Sequence, residues 1–306
     1  MSVGGSQKHQ TGFISTDPLK LATLGALMDR TSGSLDVSIA IIDGPVRSQH
    51  PGFEGGNLRE IAGGAQGTCN EARSAACVHG TFVAGILSAK RNSPAPSICP
   101  GCTLLIRPIF EETTSGRQQM PNATPHELAA AILDCIDGGA RVINLSLALV
   151  RAHTKGEQAL KEALDYAVKR NVIVVAAAGN EGTLGTSVIT SHPWVIPVIA
   201  CDLRGRPLNA SNLGNSIGRR GLSAPGEGIV SLGAEGQTLT LGGTSAAAPF
   251  VTGTVALLWS LFPSATATQI KIATTRASAG RRTSAIPPLL DAEAAYQILL
   301  EANQGR

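Results

Sequence analysis

The sequence predicts an α/β fold in which helices cover both faces of a mostly parallel central sheet. Short apolar runs rich in β-branched residues alternate along the chain with longer segments of helical periodicity, as in doubly wound folds. Hydrophobic residues make up 43% of the 306 residues and charged residues only 15%, which indicates a large core. The 35 glycines and 3% aromatic residues suit a sheet of small side chains joined by tight turns.

These patterns place five strands and six helices along one domain, expected over residues 17–306. Strands are expected near 37–42, 104–109, 141–145, 172–177 and 195–200. Helices are expected near 18–30, 79–90, 125–138, 156–170, 248–262 and 266–277. Residues 1–16 are polar and lack an apolar pattern, so we expect a loosely ordered N-terminal arm there.

The first predicted strand ends in a carboxylate. The run 36–42 has the composition of a buried strand, and it stops at Asp43-Gly44-Pro45. Open α/β sheets build their sites at the carboxyl ends of strands, so Asp43 is a candidate site residue. An ordinary turn-forming aspartate is the alternative.

A histidine opens the helix expected near 79–90. His79 precedes a run of small and apolar residues that suits a helix packed in a core. A histidine at a helix start is often structural. Because His79 lies between Asp43 and a candidate nucleophile described below, we interpret it as catalytic.

Asn180 follows the fourth predicted strand, in Gly179-Asn180-Glu181-Gly182. This sequence is typical of a turn. A side-chain amide beside a nucleophile can also donate a hydrogen bond to the oxygen of a tetrahedral intermediate. Asn180 is therefore a candidate for an oxyanion hole.

The candidate nucleophile is Ser245, in the run 241–249. Two glycines allow a tight turn before it, and the apolar segment from Pro249 onward predicts a helix that begins at or just after the serine. Unpaired N–H groups and the positive end of a helix dipole favour an oxyanion there. A helix N-cap is the alternative for Ser245.

Together these motifs resemble the subtilisin-type serine proteases. The shared motifs are the strand ending at Asp43-Gly44, His79-Gly-Thr, Ala-Gly-Asn180 and Gly-Thr-Ser245-Ala-Ala-Ala-Pro. Their order along the chain is Asp, His, Ser, whereas chymotrypsin-like proteases and α/β-hydrolases use other orders. The resemblance implies a subtilisin-like three-layer fold, a catalytic triad of Asp43, His79 and Ser245, and an oxyanion hole that includes Asn180.

The resemblance also suggests two walls of a substrate pocket. Where the family usually has Ser-Leu-Gly-Gly after a strand, this chain has Ser-Leu-Ala-Leu over 146–149, which places side chains beside the substrate path. We expect the walls to contain Ser146, Leu147, Ala148, Ala177, Ala178 and Gly179. Buried strand ends without contact to substrate are the alternative for each of them.

A narrower resemblance links the chain to proteases that mature cyanobactin-type ribosomal peptides. It rests on Asp43-Gly-Pro-Val, the segment 50–55, the Pro-Gly-Cys of 100–102 and the Ala-Pro-Gly-Glu of 224–227. The resemblance implies removal of a leader from a precursor peptide. A transpeptidase that cyclises such a precursor is one alternative, although only 24 residues separate His79 from the strand at Leu104, which leaves little room for a lid. A catalytically inactive, peptide-binding fold is the other.

Charge and cysteine content limit the partners. A net charge of +3 with no basic cluster interleaved with aromatic residues predicts no nucleic-acid partner. No stretch suggests a membrane partner, and with no targeting segment or prodomain recognisable before residue 18 we expect a cytoplasmic protein. The oligomeric state stays open.

The cysteines form two close pairs along the chain. Either pair, Cys69 with Cys77 or Cys99 with Cys102, is suited to a disulfide, and no cofactor or metal is expected.

Overall fold

The computed structural model describes residues 17–61, 63, 69–112, 123–147, 156–277 and 284–304. Its strands are β1 (Ser38–Asp43), β2 (Asn57–Glu60), β3 (Thr103–Pro108), β4 (Val142–Leu145), β5 (Ile173–Ala177), β6 (Ile196–Cys201), β7 (Leu222–Pro225), β8 (Ile229–Leu232) and β9 (Thr238–Leu241). The first seven form one parallel sheet in the order β2-β3-β1-β4-β5-β6-β7. Strands β8 and β9 form a separate antiparallel pair.

Helices connect the strands of the main sheet. They are α1 (Pro18–Leu21), α2 (Leu24–Arg30), α3 (Ala75–Ser88), α4 (Pro125–Asp137), α5 (Glu157–Lys169), α6 (Val188–Ser191), α7 (Asn215–Arg220), α8 (Thr244–Leu261), α9 (Ala267–Arg276) and α10 (Ala292–Gln304). Parallel strands require such crossovers.

Side chains of β1 alternate between two hydrophobic cores. Ile39 and Ile41 pack in the core that contains side chains of α3 and α8. Ala40 and Ile42 pack in the core that contains side chains of α4 and α5. The sheet is therefore covered on both faces, which confirms the predicted three-layer α/β fold.

The two helices that carry the candidate catalytic residues begin earlier than the sequence predicts. Helix α3 begins at Ala75, so His79 lies in its second turn and does not open it. Helix α8 begins at Thr244, and Pro249 lies inside it. Proline is a weak boundary signal here because a core helix can continue past a proline when other groups satisfy the freed carbonyl.

Other differences from the predicted elements involve several short segments and the 13-residue helix α10. The helix expected near 18–30 is split around Thr23, which has a left-handed backbone with φ of 51°. Four strands and three helices were not predicted: β2, β7, β8, β9, α6, α7 and α10. Each of those strands has four residues, the lower limit of the length over which a strand pattern can be recognised.

Helix α8 is the core helix of the fold. It is 18 residues long with a mean hydropathy of 1.3, and 83% of it is buried inside the protein. By length and composition alone such a helix suits a membrane, and the core helix of a globular domain has the same properties. Its burial also positions its first turn against the sheet.

The order of the strands reverses at the centre of the sheet. After β1 the chain moves to β2 and β3 on one side, whereas after β4 it moves to β5 on the other side. Strand β1 is paired directly with β4. Such a reversal opens a crevice at the carboxyl ends of the two strands, where α/β proteins bind ligands.

Candidate active site

Asp43 lies at the carboxyl end of β1, beside this crevice. Its side chain is 1% exposed. Its Oδ1 atom accepts a hydrogen bond from the backbone N–H of Gly44 at 2.7 Å. Its Oδ2 atom is buried and accepts no hydrogen bond within the described residues. A buried carboxylate needs a positive or donating partner, and the main partner here is His79.

The imidazole of His79 binds this carboxylate directly. The distance from His79 Nδ1 to Asp43 Oδ1 is 2.7 Å, and the imidazole is 14% exposed. Because Nδ1 is occupied by the aspartate, Nε2 is the atom left to exchange a proton with a nucleophile or substrate.

Two glycines allow α3 to approach the end of β1. A Cβ atom added at Gly44 would overlap the backbone oxygen of Ala76, in the first turn of α3. A Cβ atom added at Gly80 would overlap the backbone oxygen of Gly44. The Asp-Gly and His-Gly pairs of the sequence therefore place the imidazole within hydrogen-bond distance of the carboxylate.

Opposing effects act on the pKa of His79. Burial lowers the pKa of the imidazole, while the negative charge of Asp43 and the hydrogen bond to it raise the pKa. The two contributions from Asp43 outweigh burial, so the pKa of His79 lies above the ordinary histidine value of 6.5. Asp43 therefore stabilises the protonated imidazole that forms when His79 accepts a proton.

Ser245 lies in the first turn of α8 and is half-buried. Gly243 precedes this turn with φ of 102°, a left-handed conformation that favours glycine. A Cβ atom at Gly243 would also lie 2.9 Å from Asn180 Oδ1. Only a glycine at this position allows Asn180 to reach the start of the helix.

Asn180 is oriented by the start of the same helix. Its Oδ1 atom accepts hydrogen bonds from the backbone N–H of Thr244 at 2.9 Å and from the Thr244 hydroxyl at 3.2 Å. Since the N–H can only donate, the carbonyl side of the amide is fixed toward Thr244. The Nδ2 group makes no hydrogen bond within the described residues, and Asn180 is exposed. Its two N–H donors are available to a ligand.

The structure thus brings together Asp43 with His79, and Asn180 with the residue before Ser245. Helices α3 and α8 pack against each other in one core, which places His79 and Ser245 on neighbouring helices. Within the described residues the hydroxyl of Ser245 makes no hydrogen bond to His79. Catalytic hydrogen bonds are often long without substrate and shorten when it binds.

The predicted pocket walls lie at the ends of β4 and β5. Ser146, Ala177, Ala178 and Gly179 are buried there, and Leu147 is 7% exposed. Ala148 lies outside the described residues, as does Leu149 next to it. Leu147 and Ala177 both contact a core. Their contact with substrate stays a prediction.

Sequence reasoning missed three polar residues that shape this site. Thr244 holds Asn180 and also accepts from the backbone N–H of Gly179 at 3.2 Å. Asn212 accepts from the backbone N–H of Glu181 at 3.2 Å and of Thr183 at 3.0 Å, and so fixes the loop after Asn180. Asn144 is fully buried in β4. A polar residue within an apolar strand was the available signal for Asn144.

The cysteines form one disulfide. Cys69 and Cys77 are bonded with a Cα–Cα distance of 5.5 Å, and the bond closes a loop before His79. Cys99 and Cys102 are free and buried, as are Cys135 and Cys201. The first of the two suggested pairs therefore forms a disulfide and the second does not. The cysteines do not test the expected cytoplasmic location, which stays a prediction.

The two bonded sulfurs lie near the carboxylate of Glu112, with all three candidate ligand atoms within 4.8 Å of one another. A disulfide has no thiolate to offer a metal. The carboxylate is already used, since its oxygens accept from the backbone N–H groups of Asn70 at 3.1 Å and Glu71 at 2.9 Å. This group of residues stabilises the loop and does not suit a metal ion.

The α/β sheet carries a buried aspartate–imidazole pair at its central crevice, and a serine lies at the amino end of a core helix. This arrangement is the one found in serine hydrolases. The comparisons with known proteins narrow this class. Residues 34–295 match the model of the subtilase family. The chain belongs to that family of serine endopeptidases.

Curated relatives agree with this assignment. The chain is 35% identical over 233 residues to a thermophilic serine proteinase of Bacillus sp. (strain AK1), a match that covers 75% of this chain and 54% of that protein. It is 31% identical over 241 residues to subtilisin E of Bacillus subtilis (strain 168), which covers 77% and 58%. The chain therefore spans little more than half the length of these relatives.

Solved structures include proteases of peptide maturation. A mutant of the protease domain of PatA is 31% identical with a TM-score of 0.80, covering 91% of this chain and 98% of that one. Prenylagaramide maturation protease PagA is 29% identical with a TM-score of 0.79, covering 90% and 98%. The PatG macrocyclase domain shares the fold at 22% identity and a TM-score of 0.79.

Proposed function

We propose that this chain is a serine endopeptidase that removes a leader from a ribosomally made precursor peptide. The observation that carries the proposal is the 2.7 Å hydrogen bond between Asp43 and His79 at the central crevice, with Ser245 on the neighbouring helix. Asp43, His79 and Ser245 act as a catalytic triad, and Asn180 contributes to the oxyanion hole.

The reaction follows from the free atoms of these side chains. His79 Nε2 accepts the proton of the Ser245 hydroxyl while the oxygen attacks the peptide carbonyl carbon. The carbonyl oxygen becomes an oxyanion, which accepts hydrogen bonds from Asn180 Nδ2 and from the backbone N–H of Ser245. His79 then gives its proton to the leaving amine, and an acyl-enzyme remains.

Water completes the cycle. His79 removes a proton from water, the hydroxide oxygen attacks the acyl carbon, and the Ser245 hydroxyl leaves with the proton from His79. Asp43 keeps its negative charge throughout and stabilises the imidazolium in both halves of the reaction. The product is a peptide with a new carboxylate.

A precursor peptide as substrate is supported by the solved structures. Two of the most similar ones are named as patellamide and prenylagaramide maturation proteases, at 31% and 29% identity. The end of β4 beside the crevice, at Ser146, offers backbone groups that make no hydrogen bond within the described residues and that an extended peptide can pair with. A peptide substrate and a peptide-processing role therefore fit the same site.

Labelling with a fluorophosphonate tests the catalytic part of the proposal. The wild-type protein should be labelled on Ser245, whereas Ser245→Ala should not be labelled and should not cleave a peptide. A folded wild-type protein that resists labelling would favour a catalytically inactive fold that only binds peptides.

Transfer of the acyl group to an amine is the second candidate reaction. It would yield a cyclic peptide, and the short connection of 24 residues between His79 and Leu104 disfavours a lid that excludes water. Mass spectrometry of a cleaved precursor separates the two reactions. Linear products carrying one added water support hydrolysis, and products that lack this water contradict it.

A further inference from the structure

The backbone carbonyl of Ser245 cannot make its ordinary helical hydrogen bond. In an α-helix the carbonyl of residue 245 accepts from the N–H of residue 249. Residue 249 is a proline inside α8, so it has no N–H to donate, and its ring crowds the same carbonyl. The candidate nucleophile therefore sits on a turn of helix that needs a hydrogen-bond donor from elsewhere.

Strand β4 supplies that donor. The hydroxyl of Ser146, just after β4, donates to the carbonyl of Ser245 at 3.0 Å. The same hydroxyl accepts from Asn144 Nδ2 at 2.7 Å. Asn144 Oδ1 in turn accepts from the hydroxyl of Thr252 at 2.7 Å. Thr252 lies on α8 again, two turns after Ser245.

These three side chains form a chain of hydrogen bonds, from Thr252 through Asn144 to Ser146, which we call the relay. The relay begins on α8 at Thr252 and ends on α8 at the carbonyl of Ser245. It therefore bridges the two parts of the helix on either side of Pro249. Every donor in the relay points toward Ser245, so each bond strengthens the next. Thr252 and Asn144 are fully buried and Ser146 is 4% exposed. Water cannot replace a lost member at so little exposure, and an unsatisfied buried group is costly.

The relay differs from the ordinary behaviour of a buried threonine in a helix. Thr254, also fully buried on α8, donates back to the carbonyl of Phe250 in its own helix at 2.8 Å. Thr252 instead donates across to the strand. Two fully buried threonines of one helix thus differ in the destination of their hydroxyl hydrogen bond, which offers a matched control.

We propose that Thr252, Asn144 and Ser146 are positioning residues that hold the first turn of α8 so that Ser245 faces its substrate. The inference rests on the proposed function, since it assigns these residues a role in the reactivity of Ser245. Within the described residues the hydroxyl of Thr252 donates to Asn144 and makes no hydrogen bond to Asp43 or His79. It acts on the nucleophile only through the relay.

Thr252→Val removes the hydroxyl that begins the relay and keeps a similar side-chain shape. We expect kcat to fall about 10-fold to 10²-fold, because small displacements of a reacting group are costly, with KM changed by less than about twofold. The second-order rate of fluorophosphonate labelling should fall in parallel. Thr252→Ser keeps the hydroxyl and should restore both rates to within about threefold of wild type.

Thr254→Val is the control, since it removes a buried hydroxyl of the same helix outside the relay. It should lower the melting temperature and leave kcat and the labelling rate unchanged. Equal losses of kcat in Thr252→Val and Thr254→Val would overturn the proposal in favour of a purely structural effect. An unchanged kcat in Thr252→Val would overturn it as well.

Two further variants complete the experiment. If Thr252→Val does not fold, Ser146→Ala removes only the last donor, and an unchanged labelling rate in that variant would overturn the relay. Ser245→Ala, assayed in parallel, separates the two proposals. Activity that persists in Ser245→Ala contradicts the proposed function, whereas activity lost in Ser245→Ala but normal in Thr252→Val contradicts the relay alone.

Discussion

At the scale of single residues, the site depends on hydrogen bonds that fix one end of a polar group and leave the other free. His79 gives its Nδ1 atom to Asp43, which leaves Nε2 for proton transfer. Asn180 Oδ1 accepts a hydrogen bond from the backbone N–H of Thr244, which leaves Nδ2 free to donate to a ligand. In each case a buried partner sets the orientation before any substrate is bound, which is the basis of electrostatic preorganisation.

The amide of Asn180 gives the first prediction. Asn180→Ala removes the free Nδ2 donor, and we expect kcat to fall by about 10²–10³ with little change in KM, because the hydrogen bond forms mainly in the transition state. Asn180→Asp is the matched variant, since it keeps an acceptor for Thr244 and cannot donate. Steady-state kinetics should place both variants at a similarly low kcat, and a near-normal kcat in Asn180→Ala would exclude Asn180 from the oxyanion hole.

The pKa of His79 gives the second prediction. The imidazole must be neutral to accept a proton, so activity should fall as the pH drops through the pKa of His79. Since Asp43 raises that pKa above 6.5, the acid limb of kcat/KM should lie above pH 6.5. A pH–rate profile measured with a neutral peptide checks this.

Asp43→Asn separates the charge of the aspartate from its shape. Without the charge of Asp43, burial lowers the pKa of His79, so the acid limb should shift to lower pH while kcat falls by about 10⁴, as in serine proteases whose triad loses its carboxylate. Circular dichroism checks that the variant is folded. An acid limb that stays in place would show that another group controls the profile.

At the scale of elements, the sequence predicted the central strands and missed several peripheral elements, including the 13-residue helix α10. The central strands β1, β3, β4, β5 and β6 were predicted within one or two residues of their observed ends, because each is a buried apolar run. Edge strand β2 and the pair β8 and β9 are short and partly exposed, so composition alone did not reveal them. The starts of α4, α5 and α9 were predicted within one residue, whereas α3 and α8 begin four residues before the predicted starts.

The close contact of α3 with the end of β1 gives the third prediction. Gly80→Ala would place a methyl group against the backbone oxygens of Gly44 and Pro45, so α3 and with it His79 must shift. We expect a loss of stability of about 1–3 kcal/mol and a fall in kcat. Chemical denaturation and steady-state kinetics measure the two effects.

Gly25→Ala is the control, because Gly25 is also helical and an added Cβ atom meets nothing within 4 Å. This variant should be stabilised by about 0.5–1 kcal/mol, as expected for a helical glycine in open space, with kcat unchanged. Equal effects of the two substitutions would show that the contact at Gly80 does not position α3.

At the scale of the whole molecule, the order of the motifs along the chain predicted the family, whereas the role of each site residue stays a prediction. Asp43, His79, Asn180 and Ser245 each had a plausible structural alternative, and only their joint placement at one edge of a parallel sheet favours catalysis. The relay through Asn144 could not be predicted in this way. The hydrogen bond between Thr252 and Asn144 joins residues that are 108 positions apart in the sequence. A threonine on an apolar helix gives no sign of which strand it faces.

The packing of the whole molecule gives the last prediction, which concerns the cysteines. The six cysteines comprise one disulfide and four buried thiols. Burial raises the pKa of Cys135 well above its ordinary value and raises the pKa of Cys201 to about 11, whereas a hydrogen bond with Cys99 lowers the pKa of Cys102. Because all four thiols are buried, the native protein should react with a thiol reagent only as it unfolds. Titration without reductant should count close to zero thiols in the native state and four in denaturant, and six after reduction.

Six thiols in denaturant without reductant would contradict the disulfide between Cys69 and Cys77, whereas rapid reaction of the native protein would contradict the burial of the other four.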